Sequence, residues 1–273
     1  MDFLSEPEPE RGAVMPVVEG ISRIVAPNPG PMTYYGTNTY LIEGADGFAV
    51  LDPGPESEAH LQAVLMATGG RVAKILLSHT HPDHLDGLPA LRAATGAATY
   101  GFHQSATPDF SPDLPLRDGD TVGEWTALHT PGHAADHLCF ARADGVVFTA
   151  DHVMSWSTSI VSPPNGDMAA YLDSLRRLYA RDARLYLPGH GPAIREPRRF
   201  VRALIDHRIM RENAILSALR GTGAMTAREL VDALYTNVAP HLHGPAERSV
   251  LAHLQKLEAE GRAVREGETW RAG

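Results

Sequence analysis

Directly after the apolar run Ala73–Leu77 the chain reads Ser78-His79-Thr80-His81-Pro82-Asp83-His84, and no other stretch constrains it so strongly. His79 and His81 are two residues apart, so on extended backbone their side chains point to the same side. Pro82 reinforces this, because a proline pushes the preceding residue away from helical dihedrals. Two imidazoles on one side of a strand-exit loop can hold a metal ion. Asp83 and His84 follow where the chain must turn, and can reach a second point nearby. At this chain's His and Asp frequencies, chance places such a pattern with a probability on the order of a few in a thousand. The competing reading is a polar helix cap with solvated histidines.

Further ligand-type residues stand where strand-like runs end. His133 lies in Thr130-Pro131-Gly132-His133 after Thr126–His129, Asp151 closes Val146–Ala150, and His190 follows Leu185–Leu187 in Pro188-Gly189-His190-Gly191-Pro192. Singly, each is explained by solvation of a turn. Together the seven residues offer five imidazoles and two carboxylates, a set suited to two borderline divalent ions rather than to calcium or magnesium. The chain has 14 histidines and a single cysteine, Cys139, so any metal is held without a thiolate cluster and no intrachain disulfide forms. Cys139, within Leu138–Ala141, reads as a small buried hydrophobe.

The rest of the chain alternates strand-like and helical runs. Strands are expected at Gly20–Val25, Thr39–Glu43, Phe48–Leu51, Ala73–Leu77, Ala97–Phe102, Thr126–His129, Leu138–Ala141, Val146–Thr149 and Leu185–Leu187, and helices at Glu56–Ala67, Leu85–Ala94 and Met168–Ala180. Such alternation favours a layered α/β body. Residues 1–16 are Glu- and Pro-rich and are expected as a mobile tail, and 17–197 as the catalytic domain. Residues 198–273 form a companion domain: a long helix Arg198–Arg220, helices Ala227–Tyr235 (capped by Thr226) and Pro245–Glu260, then a hairpin around Glu266-Gly267. Helices followed by a small hairpin look like a winged-helix module.

The net charge of −9 is unevenly spread. From Arg198 onward 12 basic and 9 acidic residues give +3, which leaves −12 for residues 1–197. An acidic body weighs against a general nucleic-acid binder. The longest uncharged stretch, Ile24 to Ile42, is too rich in Pro, Gly, Asn and Thr for a bilayer helix, so no membrane association is expected. The start, MDFLSEPEPERG, has acids where an export signal needs basic and then apolar residues, and predicts a cytoplasmic protein.

The order His79-x-His81-x-Asp83-His84, His133, Asp151, His190 resembles the metallo-β-lactamase superfamily, over roughly Gly20 to Pro192. The resemblance implies an αββα sandwich with the metal site along one sheet edge. It implies that His79, His81 and His133 hold one zinc and Asp83, His84 and His190 the second, with Asp151 bridging; iron and manganese remain open. An aspartate at 151 points away from true β-lactamases, toward thioesterases of the hydroxyacylglutathione hydrolase type, lactonases and metallo-ribonucleases. His81, where diiron oxygen-reducing members carry Glu, disfavours that branch. Pro29-Gly30, Gly36–Ile42, Thr130–His133 with Asp136-His137, Pro188–Pro192 and the terminal module also resemble the lactamase-like endoribonuclease subfamily. Its animal members cut single-stranded RNA in mitochondria, and its bacterial relatives are mostly uncharacterised hydrolases. The present chain departs from that pattern over Ser155–Asp167.

The implied reaction is hydrolysis by a metal-bridging hydroxide, with Asp83 orienting it and relaying its proton. The expected substrate is a small ester, thioester or lactone; single-stranded RNA is the alternative, and a metal-free nucleic-acid-binding regulator the non-enzyme reading. His137 is either a donor to the oxyanion or leaving group, or a hydrogen-bonded turn residue. Thr37, Asn38 and Tyr40 are expected to fix their strand rather than line a pocket. His152 is expected to be structural, and Ser155–Gly166 with Trp156 to form a substrate-facing loop. The mixed charge of Pro245–Glu260 suits a lid or a dimerisation element, which makes a homodimer one expected assembly, more than it suits an RNA reader.

Overall fold

The computed structural model describes residues 2–236 and 238–273. The first half supplies β1 (Met15–Val18), β2 (Ile21–Val25), β3 (Asn38–Gly44), β4 (Gly47–Leu51), α1 (Glu58–Thr68), β5 (Val72–Leu76), α2 (Pro82–Leu85), α3 (Leu88–Thr95), β6 (Ala98–Phe102) and β7 (Leu114–Leu116). Then come β8 (Thr121–Val122), β9 (Trp125–His129), β10 (Leu138–Arg142), β11 (Val146–Ala150), α4 (Met168–Tyr179) and β12 (Leu185–Pro188). The C-terminal part contains α5 (Pro197–Thr222), β13 (Met225–Thr226), α6 (Ala227–Leu234), a 3₁₀ turn at Pro240–Leu242, α7 (His243–Ala259), β14 (Ala263–Glu266) and β15 (Thr269–Ala272).

β1 to β7 form a seven-stranded sheet in chain order, antiparallel as far as β4 and parallel from there on. The second sheet runs β12-β11-β10-β9-β8, with only β11 and β12 parallel. The sheets pack face to face. Tyr40, Leu51 and Leu76 from the first meet Phe140, Phe148 and Leu187 from the second in one buried cluster. Each outer face is covered by helices. Leu41, Val50 and Ile75 pack under α1 and α3, and Cys139, Val147 and Tyr186 pack under α4 and the first half of α5. This is the expected αββα sandwich.

β13, β14 and β15 make a small third sheet on α6 and α7, the winged-helix arrangement expected of the C-terminal residues. α5 serves both bodies. Phe200, Val201 and Leu204 belong to the sandwich's outer core, while Ile215, Leu216 and Leu219 pack with Val231, Leu254 and Trp270. A boundary at residue 198 therefore falls at the start of a helix shared by two cores.

Two local expectations change. The helix expected over Leu85–Ala94 is α3, which starts only at Leu88; Leu85 instead ends α2, and Asp86-Gly87 separate the two. Pro89 explains the break: inside a continuous helix its ring would clash with the carbonyl of residue 85, whereas near the start of α3 it is tolerated. The stretch expected as a tail has no helix or strand over residues 2–14, yet it is pinned to the body. Leu4 N–H donates to Ser155 O at 2.9 Å, Glu6 pairs with the buried Arg23, and Arg11 donates to Ala26 O at 2.9 Å. Its end, Met15–Val18, continues as β1 at the sheet edge. Short polar composition hid these contacts, since each is made by a backbone or charged group rather than by apolar burial.

Candidate metal centre

All seven predicted ligand residues come together at one end of the sandwich. The ligand-type atoms of His79, His81 and His133 lie within 4.8 Å of one another, and so do those of Asp83, His84, Asp151 and His190. β5 delivers Ser78 and His79. His81 is the residue before α2, extended at φ −68° and ψ 146° as Pro82 requires, and Asp83 and His84 ride the first turn of α2. Ala150 takes φ 41° at the end of β11, a left-handed turn that carries Asp151 out of the strand. His133 and His190 sit on the loops after β9 and β12. A Cβ at Gly189 would lie 2.5 Å from Asp151 Oδ1 and 2.9 Å from His84 Cε1, so a side chain there would displace ligand residues.

The hydrogen bonds behind the ligands decide which ring nitrogens face inward as lone pairs. Ser78 Oγ–H donates to Asp52 Oδ2 at 2.7 Å, so Ser78 Oγ accepts from His79 Nδ1 at 2.9 Å and leaves His79 Nε2 bare. His133 Nδ1 donates to Ile160 O at 2.7 Å, which bares His133 Nε2. Both bare nitrogens point at His81 Nδ1, at 2.9 and 3.0 Å. His81 carries at most one proton there, so it cannot satisfy both. A cation resolves the conflict.

The second group repeats the pattern. His84 Nδ1 donates to Asp52 Oδ2 at 3.0 Å and His190 Nδ1 to Gly36 O at 3.2 Å. Their Nε2 atoms, and Asp151 Oδ1, are buried without a hydrogen-bond partner. Asp151 stands between the groups: Oδ1 is 3.5 Å from His84 Nε2 and 3.4 Å from His190 Nε2, while Oδ2 is 3.6 Å from His133 Nε2. Imidazoles anchored at their outer nitrogen and converging at the inner one are what a borderline divalent ion requires. The donor set fits such ions.

The electrostatics of the two groups differ. Burial pushes His79 well below the ordinary imidazole range, and burial with His133 nearby pushes His81 down to about 4, so these rings are neutral donors. Burial also opposes charge on His84, but the carboxylates of Asp83, Asp151 and Asp52 hold it well above its usual value. His190 rises to about 9 against burial, through Asp151 and Asp83. Burial would raise the carboxyl of Asp83, yet His84 and His190 bring it to about 2, and Asp151 is likewise held low by His190 and His84.

A cavity of about 330 Å³ opens onto the cluster at His81, Asp83, His133 and Asp151. Met32, Met154, Trp156, Ile160, Pro163 and Pro164 line it together with Ser157, Thr158, Ser162 and Asn165, and Arg248 from α7 joins them. The segment Ser155–Gly166 therefore faces the cavity, as expected. His137 does not: it is fully buried, bonded through Nδ1 to Thr130 Oγ1 at 2.9 Å, its ring 5.1 Å from His79 and outside the cavity lining. Of the two roles expected for His137, the Thr130 contact is that of a hydrogen-bonded turn residue, and its Nε2 is buried without a hydrogen-bond partner. Thr37, Asn38 and Tyr40 are also buried, and Asn38 Nδ2 and the Tyr40 hydroxyl both donate to Pro188 O, at 2.9 and 2.8 Å. They hold the loop that carries His190. His152 is buried against Tyr171 with ring centroids 4.6 Å apart.

Reading the sequence missed Asp52, the carboxylate that orients both Ser78 and His84. Its signal was present: Asp52 ends an apolar strand, Phe48–Leu51, as Asp151 ends another. It also missed Arg248, whose neighbourhood is set by packing between domains.

The geometry agrees with what is known of other proteins. The metallo-beta-lactamase superfamily profile matches residues 32–113 and 106–190, and that of the beta-lactamase associated winged helix domain matches 226–270. The chain belongs to the metallo-beta-lactamase superfamily. A beta-lactamase-like protein 2 homolog from Drosophila melanogaster is 30% identical, over 92% of this chain and 91% of its own length. An atrochrysone carboxyl ACP thioesterase from Aspergillus fumigatus is 28% identical, over 91% of this chain and 85% of its own. The crystal structure of a metallo-beta-lactamase family protein from Thermus thermophilus superposes with a TM-score of 0.79 and 25% identity, covering 94% of this chain and 99% of that one. The chain is accordingly a metal-dependent hydrolase, and its His/Asp cluster implies a divalent metal.

Proposed function

We propose that this chain is a dinuclear zinc hydrolase of small thioesters, with esters and lactones as neighbouring substrates. His79, His81 and His133 would hold one ion, Asp83, His84 and His190 the other, and Asp151 would serve both. When bound, such ions bring the pKa of water toward about 7 and polarise a carbonyl oxygen. Asp83 borders both the cavity and the cluster, which suits its carboxylate to orient the attacking water.

One observation carries the choice of thioester. Outside the ligand cluster, the only titratable side chain lining the cavity among the described residues is Arg248, which is no proton donor at neutral pH. With His137 behind the ligands, the cavity offers no separate general acid. A thiolate, whose conjugate acid has a pKa of about 8.5, leaves without one, whereas an alkoxide needs protonation. The thioesterase among the relatives points the same way. A single cation also makes a poor track for an RNA backbone, which calls for several.

The test measures bound metal, then hydrolysis of thioesters, lactones, phosphodiesters and single-stranded RNA with and without chelator. Thioester cleavage that chelator abolishes is expected. His81→Ala and Asp151→Ala should each cost more than about a hundredfold while the circular dichroism stays native. Retained activity with unchanged metal content in both variants refutes the ligand assignment. Strong, salt-sensitive RNA cleavage would instead favour the endonuclease reading, and chelator-resistant gel shifts without hydrolysis the regulator.

A further inference from the structure

The catalytic body and the C-terminal module meet at the cavity through a single charged side chain. Arg248 sits in the second turn of α7, immediately before the buried Ser249 and Val250. Farther along α7, Ala252 packs into the core formed by α4 and α5, while Val250, Leu254 and Leu257 pack into the core of the module. The helix is thus fixed on both sides, and the place of Arg248 on the cavity wall is fixed with it. Other arginines of the module are engaged in ion pairs: Arg228 with Asp232, Arg262 with Glu212 and Glu260, and Arg271 with Glu266. Arg248 is exposed and, among the described residues, makes no hydrogen bond or ion pair. The other charged groups on the cavity wall, Asp83 and Asp151, belong to the metal cluster. The cavity therefore holds one uncommitted cation on a wall of mixed apolar and neutral polar side chains.

We propose that Arg248 anchors an anionic group of the substrate, a carboxylate or a phosphate, so that the module selects which thioesters the metal site cleaves. This rests on the thioesterase reading above and names its substrate class: acyl thioesters bearing a negative charge away from the scissile carbonyl. A guanidinium suits either anion, because its planar N–H groups donate to two oxygens side by side. The uncharged apolar and polar side chains of the wall take the uncharged part between anchor and metal site. The anion has two chemical sources, the acyl part or the thiol part.

Matched probes separate them. Butyryl- and succinyl-N-acetylcysteamine differ by a carboxylate on the acyl side; butyryl-pantetheine and butyryl-phosphopantetheine differ by a phosphate on the thiol side. The metal-loaded wild type, Arg248→Ala and Arg248→Lys are compared by kcat/KM on each pair, and by calorimetric binding of the corresponding inert amides. In one pair the wild type should prefer the anionic member by about tenfold, mostly through KM. The preference should fall to within about twofold in Arg248→Ala and recover in part in Arg248→Lys. An absent preference in both pairs, or one that survives Arg248→Ala, overturns the proposal. If no thioester is cleaved, the thioesterase reading fails alone, because binding of the amides still decides the role of Arg248.

Discussion

Asp52 touches no ligand atom facing the cluster, yet two of the ligands depend on it. It accepts from Ser78 N–H at 2.8 Å, Ser78 Oγ–H at 2.7 Å and His84 Nδ1 at 3.0 Å, and through Ser78 it sets the tautomer of His79. Asp52→Asn keeps the shape but replaces one carboxylate oxygen with a donor, which must face either the Ser78 backbone N–H or the Ser78 hydroxyl and His84 imidazole together. Metal affinity or activity should fall about 10- to 100-fold, the usual cost of losing such an outer contact. A competition titration against a chromophoric chelator measures it, and unchanged affinity would refute the orienting role. The seven ligands themselves were legible in the sequence, because metal chemistry demands rare residue types at tight spacing. His137 was not resolved by the same reading: its imidazole stands seven residues after Thr130 and could have faced either way until the turn was folded.

Among the elements, the N-terminal segment and the cavity loop belong together. Leu4 N–H holds Ser155 O, Glu6 holds Arg23, and Arg23 in turn donates to Gly191 O at 2.8 Å beside His190. Trp156 stacks on Tyr34 with centroids 5.2 Å apart, and the Tyr34 hydroxyl accepts from Glu6 N–H at 3.3 Å. Removing residues 2–11 should therefore loosen the segment 155–166. Its amides should exchange with deuterium at least about tenfold faster, while those of β10 and β11 are unaffected. Uniform exchange in both chains would show that the segment merely lies on the surface. The helices were anticipated to within a few residues wherever a hydrophobic face was continuous, as in α4. The break between α2 and α3 is written in Pro89, which stands in the first turn of α3.

Across the whole molecule, α5 makes the two bodies one. It carries Phe200, Val201 and Leu204 into one core and Ile215, Leu216 and Leu219 into the other, and α7 returns Ala252 to the first. Neither body keeps its packing if the other unfolds. Scanning calorimetry should accordingly show one unfolding transition, and chelation should lower its midpoint by about 5–10 °C, the effect of losing a ligand held at roughly 100 times its Kd. Two separate transitions, with only one sensitive to chelator, would show independent domains.

The class of chemistry and the layered architecture were within reach of the amino-acid order alone. Both rest on local rules: alternating apolar periodicity for strands and helices, and ligand residues placed where strands end. The pairing of His133 with Ile160, the withdrawal of His137 behind the ligands, the pinning of the N-terminal segment and the arrival of Arg248 at the cavity were decided by tertiary structure. Each depends on residues far apart in the chain meeting through the packing of sheets and helices, and no periodicity along the sequence encodes which distant surfaces will touch.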